Sequence, residues 1–177
     1  SARKELKEAI VRGGEEMLRW GVTTVHTEDT YDLGYPGDFM DIYHAYQELA
    51  AEKKLPVRIY QKISLPTGKE IDEFLEGCSL RTGMGHDFYH IGPMKQWADG
   101  TMGARTAGMK DPYSDAPGNT GIYYYTDQEL YDNIRKAHCD GMQVCIHTIG
   151  DGALEQVLNA YERVLHDFPR ENHRHRL

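Results

Sequence analysis

Helix patterns and short strand-like runs alternate along almost the whole chain, and this alternation restricts the folds that are open to it. Over Lys4–Trp20 apolar and small residues recur at helical spacing, and Gly21 follows as a helix stop. Capping-box pairs mark two later helix starts, Thr67 with Glu70 and Thr126 with Glu129. The strand-like runs, rich in β-branched or apolar residues, are Val22–Val25, Val57–Ile63, Ile91–Lys95 and Met142–Ile146.

Two aspartates and two further segments complete the predicted order of elements. Asp38 is expected to cap the second helix and Asp151 the last one. The glycine-rich stretch Cys78–His90 is predicted to be irregular, and residues Asn172–Leu177 are predicted to begin one more strand. Loop residues from Asp99 to Tyr125 form a connection whose length is typical of lids and binding loops.

Regular alternation of this kind implies parallel strands with right-handed crossovers. The connections that follow strands are long and polar, whereas those that follow helices are short. This asymmetry predicts an α/β protein that forms part of a TIM-like (β/α)8 barrel, about strands two to six with the intervening helices. A doubly wound open sheet is the alternative, but no G-x-G-x-x-G or phosphate-binding loop follows any strand.

Both ends of the sequence fall within predicted elements. The chain begins at Ser1 inside a helix pattern and stops at Leu177 at a strand start, so we expect residues 1–177 to be a fragment of a single catalytic barrel domain. A barrel has no sheet edges, but a segment of one has two unpaired strands. We therefore expect homo-oligomers that form through the exposed barrel edges.

Charge and cysteine content limit the partners and the compartment. The formal net charge of -8 argues against nucleic acid and anionic membrane surfaces as partners, because both need a basic face. No run approaches the ~18 apolar residues of a membrane span. The three cysteines form no C-x-x-C pair, which predicts reduced thiols in a cytoplasmic protein.

Polar residues follow two of the predicted strands. Lys95 ends one apolar run and is followed by a loop that carries Asp99 and Arg105, and His147 ends another run just before Asp151. Because parallel strands present their carboxyl ends at one edge, we expect Lys95 and His147 to point into one mouth. Two alternatives stay open at this point: the loop is a surface turn with a salt-bridged lysine, and the histidine is a hydrogen-bonded core residue.

These two side chains suit metal chemistry in different ways. The imidazole of His147 is a good ligand for zinc, nickel or iron. The ammonium of Lys95 has no lone pair, but a desolvated neutral amine can act as a base or react with carbon dioxide. The resulting carbamate is an anionic oxygen ligand that can bridge two metals.

Four motifs in order, MKQWADGTMGARTA, PYSDAPGNTG, VCIHTIGDGAL and RHRL, resemble the third amidohydrolase family of the metal-dependent hydrolase superfamily. The likeness extends over nearly the whole chain, since GVTTVHTED resembles an earlier strand of the same barrel. The resemblance implies a TIM-like barrel with one or two divalent metal ions, zinc foremost, that hydrolyses amide-type C–N bonds of a small-molecule substrate through a metal-activated water.

The resemblance also implies roles for particular residues. Lys95 matches the position after the fourth strand where the superfamily often has a carboxylated lysine, and His147 matches the metal-ligating histidine after the fifth strand. Asp99, Arg105 and Asp151 match motif positions and are candidates for contacts to the substrate or to the metal ligands.

Several ligands of the superfamily are not in this sequence. The H-x-H pair of the first strand, the histidine of the sixth and the aspartate of the eighth are absent. We therefore expect a hydrolase as the parent protein and an inactive chain in isolation, with Lys95 an ordinary ammonium. Whether the isolated chain binds a metal stays open at this point. The alternative is a non-catalytic binding or regulatory module that retains the barrel pattern.

Overall fold

The computed structural model describes residues 2–29 and 39–177, which form two compact units. The first unit is Ser1–Ser64 with Leu80–Pro93, and the second is Leu65–Ser79 with Met94–Leu177. The predicted cap at Asp38 lies outside the described residues. None of the helices within the described ranges has the length and apolar character that crossing a bilayer requires.

The first unit contains two helices and a small sheet. Its elements are α1 (Ala2–Arg19), β1 (Thr24–Thr27), α2 (Phe39–Ala51), β2 (Arg58–Ser64), β3 (Gly85–His86) and the first half of β4 (Tyr89–Trp97). The strands lie in the order β1–β2–β4–β3, and β1 pairs with β2 in parallel, as the alternating pattern predicts. The glycine-rich stretch that was predicted to be irregular contains a short antiparallel hairpin, formed by β3 and the start of β4.

Helix α1 forms several ion pairs with α2 and the residue after it, and it is poorly buried. Arg3 pairs with Asp41 and Glu48 on α2, and Lys7 pairs with Glu48 and Glu52. Of the residues of α1, only Gly14 is buried. The predicted apolar face is therefore only partly covered: Trp20, just after the helix, is 80% exposed.

The second unit contains three helices and the second half of β4. Its further elements are α3 (Gly68–Gly77), α4 (Asp127–Cys139), β5 (Val144–His147) and α5 (Asp151–Asp167). Both predicted capping boxes are present in full: each threonine side chain accepts from the N3 backbone amide, and each N3 glutamate accepts from the cap amide. Strand β5 pairs in parallel with Met94–Trp97 of β4.

The helices of the second unit cover one face of the strand pair. Its core residues, all fully buried, are Met94, Leu130, Ile134, Ala137, Val144, Ile146, Ala153, Val157 and Val164. Polar contacts also join the helices. Lys136 on α4 forms an ion pair with Asp72 on α3 at 2.6 Å, and the Tyr131 hydroxyl on α4 donates to Asp167 on α5 at 2.7 Å.

The carboxyl-terminal residues begin the predicted further strand. Arg176 forms a parallel bridge with Cys145, its amide donates to the Val144 carbonyl and its carbonyl accepts from the Ile146 amide. Parallel pairing along the described chain thus includes β1 with β2, β4 with β5, and this bridge.

Two histidines attach this last segment to α4. The Val144 amide donates to Nδ1 of His175, and Nε2 of His175 lies 2.8 Å from Nδ1 of His138. Nε2 of His138 lies 2.7 Å from the Phe168 carbonyl oxygen, which can only accept. The chain of contacts therefore requires both rings to be neutral, each with its proton on Nε2.

This arrangement predicts acid sensitivity. Burial lowers the pKa of His138, and burial lowers the pKa of His175 to about 3. In the unfolded chain both rings have the ordinary pKa of about 6.5. As the pH falls, the histidines of the unfolded chain bind protons before those of the folded chain. The free energy of unfolding is therefore highest above about pH 6.5 and decreases between about pH 6.5 and 3. For one ring the decrease is at most about 1.4 kcal/mol per pH unit.

We expect His175→Gln, which cannot titrate, to reduce the loss of unfolding free energy between pH 7 and pH 5, as measured by urea denaturation. His166→Gln is the matched control, because the His166 side chain is 86% exposed. An equal pH dependence in the wild type and His175→Gln would contradict the role of the buried pair.

Candidate active site

Strands β4 and β5 place Lys95 and His147 on the same face. The register pairs Lys95 with Cys145 and Trp97 with His147. Partners in parallel strands share a face, as do residues two apart along one strand. The Cα atoms of Lys95 and His147 are therefore roughly 8 Å apart, two residues along the strand and one strand across. One correction is needed: Lys95 does not end its strand, because β4 continues to Trp97.

The two faces of this strand pair differ in burial. Met94, Gln96, Val144 and Ile146 are fully buried on the face covered by helices. On the opposite face His147 keeps 27% of its side chain exposed. In a (β/α) barrel the helices pack outside and functional side chains lie towards the interior and the carboxyl ends of the strands. The face of Lys95 and His147 is thus the one on which chemistry is expected; their role as metal ligands stays a prediction.

The hydrogen bond of His147 determines which ring nitrogen is available. Nε2 lies 2.9 Å from the carbonyl oxygen of Gly100. A carbonyl oxygen only accepts, so Nε2 carries the proton and, in the neutral ring, Nδ1 keeps the lone pair. Metal-binding histidines commonly donate their other N–H to a carbonyl or carboxylate in this manner. The imidazole therefore fits a metal ligand that binds through Nδ1.

Lys95 acts as a hydrogen-bond donor. Its Nζ donates to the Gln96 carbonyl oxygen at 3.0 Å and lies 4.1 Å from the centre of the Trp97 ring. An ammonium beside an aromatic face is stabilised by the ring quadrupole. Only 5% of the residue is exposed. As an ammonium this side chain has no lone pair for a metal, and its charged state stays a prediction.

Asp99 is a buried carboxylate that joins two loops. The residue is 1% exposed, and Oδ2 accepts from the amides of Gly108 at 2.9 Å and Gly150 at 2.7 Å. Oδ1 accepts from the Ile149 amide at 3.0 Å and lies 3.7 Å from Nε2 of His147. The carboxylate therefore faces backbone donors beside His147 and not open solvent.

Arg105 is placed differently, at the surface of the long loop. Its guanidinium forms a two-bond ion pair with Asp115, Nε to Oδ1 at 2.9 Å and Nη2 to Oδ2 at 2.5 Å. The hydrogen bond to Arg105 lowers the pKa of the Asp115 carboxyl. The Arg105 carbonyl also accepts from the Asn119 side chain. While it is paired with Asp115, Arg105 joins two parts of the long loop.

Asp151 does not cap α5, contrary to the sequence-based prediction. It is the first helical residue, and its Oδ1 accepts from the Lys110 amide at 3.0 Å and from the Gly152 amide at 2.9 Å. The cap position is Gly150, which has no side chain to offer. The carbonyl of Gly108 instead accepts from the Ala153 amide at 2.9 Å, so a distant loop residue satisfies the first turn.

The sequence analysis did not single out Gly108 or the carbonyl of Gly100. Both act through backbone atoms, which leave no mark in side-chain chemistry. The available signal was the glycine content of the loop, since glycine often marks a close backbone approach. A Cβ on Gly150 would fall inside van der Waals contact of the Gly108 carbonyl, which shows how closely the two segments approach.

The described residues offer only part of a metal site. Within residues 2–29 and 39–177, no three His, Cys, Asp or Glu side chains are arranged to hold an ion. The proposed ligands on the site face are the imidazole of His147 and, if carboxylated, Lys95; the thiol of Cys145 shares that face. A structural or catalytic zinc takes three or four protein ligands, so further ligands would have to come from other residues.

Comparisons with known proteins agree with this arrangement. A model of the amidohydrolase family matches residues 1–177. The chain belongs to the amidohydrolase family. It is 35% identical over 168 residues to YtcJ of Bacillus subtilis (strain 168), whose name assigns it provisionally to the amidohydrolases, with 95% of this chain and 29% of YtcJ covered.

A plant relative is also similar. The Arabidopsis thaliana protein LONG AFTER FAR-RED 3 is 31% identical over 171 residues, covering 90% of this chain and 27% of that protein. The chain thus spans less than a third of the length of either curated relative.

Two solved structures share the fold. Both are described as uncharacterized metal-dependent hydrolases, one from Pyrococcus horikoshii OT3 and one from Pyrococcus furiosus. Each superposes with a TM-score of 0.75; the identities are 28% and 27%, over 91% and 92% of this chain and 31% and 32% of those chains. The predicted fold, part of a TIM-like (β/α)8 barrel, is confirmed for this amidohydrolase-family chain.

The close approach of the two loops yields a stability prediction. Gly150 has φ -72° and ψ 146°, which any residue adopts, so the cost of a side chain there is purely steric. We expect Gly150→Ala to lower the free energy of unfolding by about 1–3 kcal/mol through overpacking against Gly108. Urea denaturation measures the change.

Gly103→Ala is the matched control in the same region, because a Cβ on Gly103 meets nothing within 4 Å. Its effect should stay within about 0.5 kcal/mol. Equal effects of the two substitutions would show that the loops do not pack as described.

Proposed function

We propose that this chain is a segment of the catalytic barrel of a cytoplasmic metal-dependent hydrolase that cleaves amide-type C–N bonds of a small molecule. The observation that carries the proposal is the imidazole of His147, with its Nε2 proton on the Gly100 carbonyl and its Nδ1 lone pair available, on the face it shares with Lys95. Membership of the amidohydrolase family supports the reaction class.

His147 would hold a divalent ion, zinc in our proposal, through Nδ1. When bound, such an ion lowers the pKa of a water molecule and polarises the substrate carbonyl. Lys95 would contribute only as a carbamate. Its ammonium would lose one proton to solvent, the freed lone pair would attack carbon dioxide, and the nitrogen would then lose a second proton to solvent. The number of ions, one or two, depends on whether that carbamate forms.

The remaining residues serve position and access. Asp99 joins the long loop to the segment that follows His147, and Asp151 anchors the loop through the Lys110 amide. The ion pair of Arg105 with Asp115 keeps the loop ordered at the surface. A substrate carboxylate or phosphate could contact the remaining N–H groups of Arg105 or replace Asp115 on Nε and Nη2.

We propose that the 177-residue chain alone is inactive. Two ligands cannot bind and polarise a metal ion as three or four do. Lys95, with its ammonium on the Gln96 carbonyl and beside the Trp97 ring, is expected to carry no carbamate without an ion to stabilise it.

One observation favours a second function. The ammonium of Lys95 already has a carbonyl and an aromatic ring as partners, an arrangement that needs no metal. A non-catalytic binding or regulatory module that retains the barrel pattern would keep such contacts for stability alone.

Metal content separates the two functions. In a longer protein that supplies the remaining barrel strands, we expect about one or two equivalents of metal by plasma mass spectrometry. His147→Ala and Lys95→Ala should reduce the content sharply. The matched controls are His166→Ala and Lys69→Ala, whose wild-type side chains are 86% and 83% exposed.

A folded protein without metal, in which neither site substitution has any effect, would contradict the hydrolase proposal and favour the binding module. The measurement therefore distinguishes the functions without knowledge of the substrate.

The edges of the first unit lead to a proposal about assembly. Within the described residues β1 pairs with β2 alone, and Met17, Trp20 and Val22 nearby are exposed. An unpaired edge beside apolar side chains favours association. We propose that the isolated chain forms homo-oligomers through this edge.

Light scattering coupled to size exclusion should give a mass above that of one 20.2 kDa chain, rising with concentration. Thr24→Lys, which places a charge at an exposed position of β1, should shift the mass towards the monomer, whereas Leu158→Lys, at an exposed position of α5, should not. A monomer at all concentrations would contradict the proposal.

A further inference from the structure

The backbone just after His147 is fixed by one buried carboxylate. The amides of Ile149 and Gly150, two and three residues beyond the histidine, donate to Asp99 at 3.0 Å and 2.7 Å. Asp99 itself is 1% exposed. Hydrogen bonds to a charged acceptor are stronger than those to a neutral one, so this carboxylate is a strong restraint on the segment.

The residues on either side of Asp99 hold the histidine itself. The Ala98 amide donates to the His147 carbonyl oxygen at 2.9 Å, and the Gly100 carbonyl oxygen accepts from Nε2 of the ring at 2.9 Å. Any displacement of Asp99 would therefore move both the backbone and the side-chain partner of His147.

The charge of Asp99 also bears on the tautomer. Its Oδ1 lies 3.7 Å from Nε2, which is too far for a hydrogen bond but close enough for electrostatic attraction to an N–H dipole. The other tautomer would point the Nε2 lone pair at both the Gly100 carbonyl and the carboxylate, an arrangement of like partial charges. Both acceptors thus favour a proton on Nε2 and a lone pair on Nδ1.

We infer that Asp99 is a positioning residue for His147: it orients the ring through Ala98, Gly100, Ile149 and Gly150 and favours the tautomer that leaves Nδ1 free. The consequence for metal binding rests on the proposed function. The consequence for the tautomer is independent of the proposed function, and the tautomer can be measured without metal.

The first test uses nitrogen-15 histidine labelling and long-range proton–nitrogen NMR correlations of the 177-residue chain. The wild type should show His147 protonated on Nε2 and unprotonated on Nδ1. Asp99→Asn keeps the shape of the side chain, removes its charge and replaces one acceptor oxygen with an NH2 donor. We expect a mixture of tautomers or a changed Nε2 shift.

Asp151→Asn is the matched control. Asp151 also accepts two backbone amides at the junction of the long loop and α5, but it bonds to Lys110 and Gly152 and not to the neighbours of His147. The His147 tautomer should therefore remain that of the wild type in Asp151→Asn. Because Asn keeps the Oδ1 that accepts both bonds, Asp151→Asn tests whether loss of a carboxylate charge at this junction alone changes the tautomer.

The second test measures zinc affinity by competition with a chromophoric chelator, in the longer protein that supplies the other barrel strands. Loss of a partner that supports a metal-ligating histidine typically weakens affinity by about 10–100-fold. We expect that loss in Asp99→Asn and wild-type affinity in Asp151→Asn.

The outcomes separate the two claims. A wild-type His147 protonated on Nδ1, or an Asp99→Asn spectrum identical to the wild type, would overturn the positioning role. A changed tautomer together with no zinc binding in any variant would support positioning and contradict the proposed function. If Asp99→Asn does not fold, a wild-type ring protonated on Nδ1 would still overturn the inference.

Discussion

A carboxylate buried in the protein interior is costly unless hydrogen bonds compensate for its lost water, and Asp99 meets that requirement with backbone amides alone. The donors come from two separate segments, Gly108 in the long loop and Ile149 with Gly150 after β5. Each such bond to a charged group contributes about 1.5–3 kcal/mol. The end of β4, the long loop and the start of α5 are consequently held as one structure.

This junction lies beside the paired strands β4 and β5, whose two faces differ in their surroundings. Alternation along β4 sends Met94 and Gln96 into the core beneath the helices, while Lys95 and Trp97 face the opposite side. Side chains that pack in the core therefore alternate along the strand with side chains that are available for chemistry. A histidine at the end of β5 can serve a site without disturbing the core, because its ring is oriented from outside the strand by a loop carbonyl.

Local patterns predicted local structure well. The two capping boxes depend on residues three apart, and both formed as expected. Alternation of helix and strand patterns predicted the parallel strands, and the positions of Lys95 and His147 after apolar runs singled out these two residues. The errors involve distant partners: Asp151 matched a cap by type, yet Gly108, 45 residues before the Ala153 amide it accepts, satisfies the helix instead. Backbone donors and acceptors of this kind are set by tertiary approach, which residue type does not encode.

The most direct test of the Asp99 junction is amide hydrogen exchange of the wild-type chain, resolved by residue. If one carboxylate holds both segments, Gly108, Ile149 and Gly150 should be protected with a common opening free energy, because they lose their acceptor together. Protection of Ile149 and Gly150 with free-peptide exchange at Gly108 would show that the long loop opens independently, and the account of a single shared anchor would be wrong.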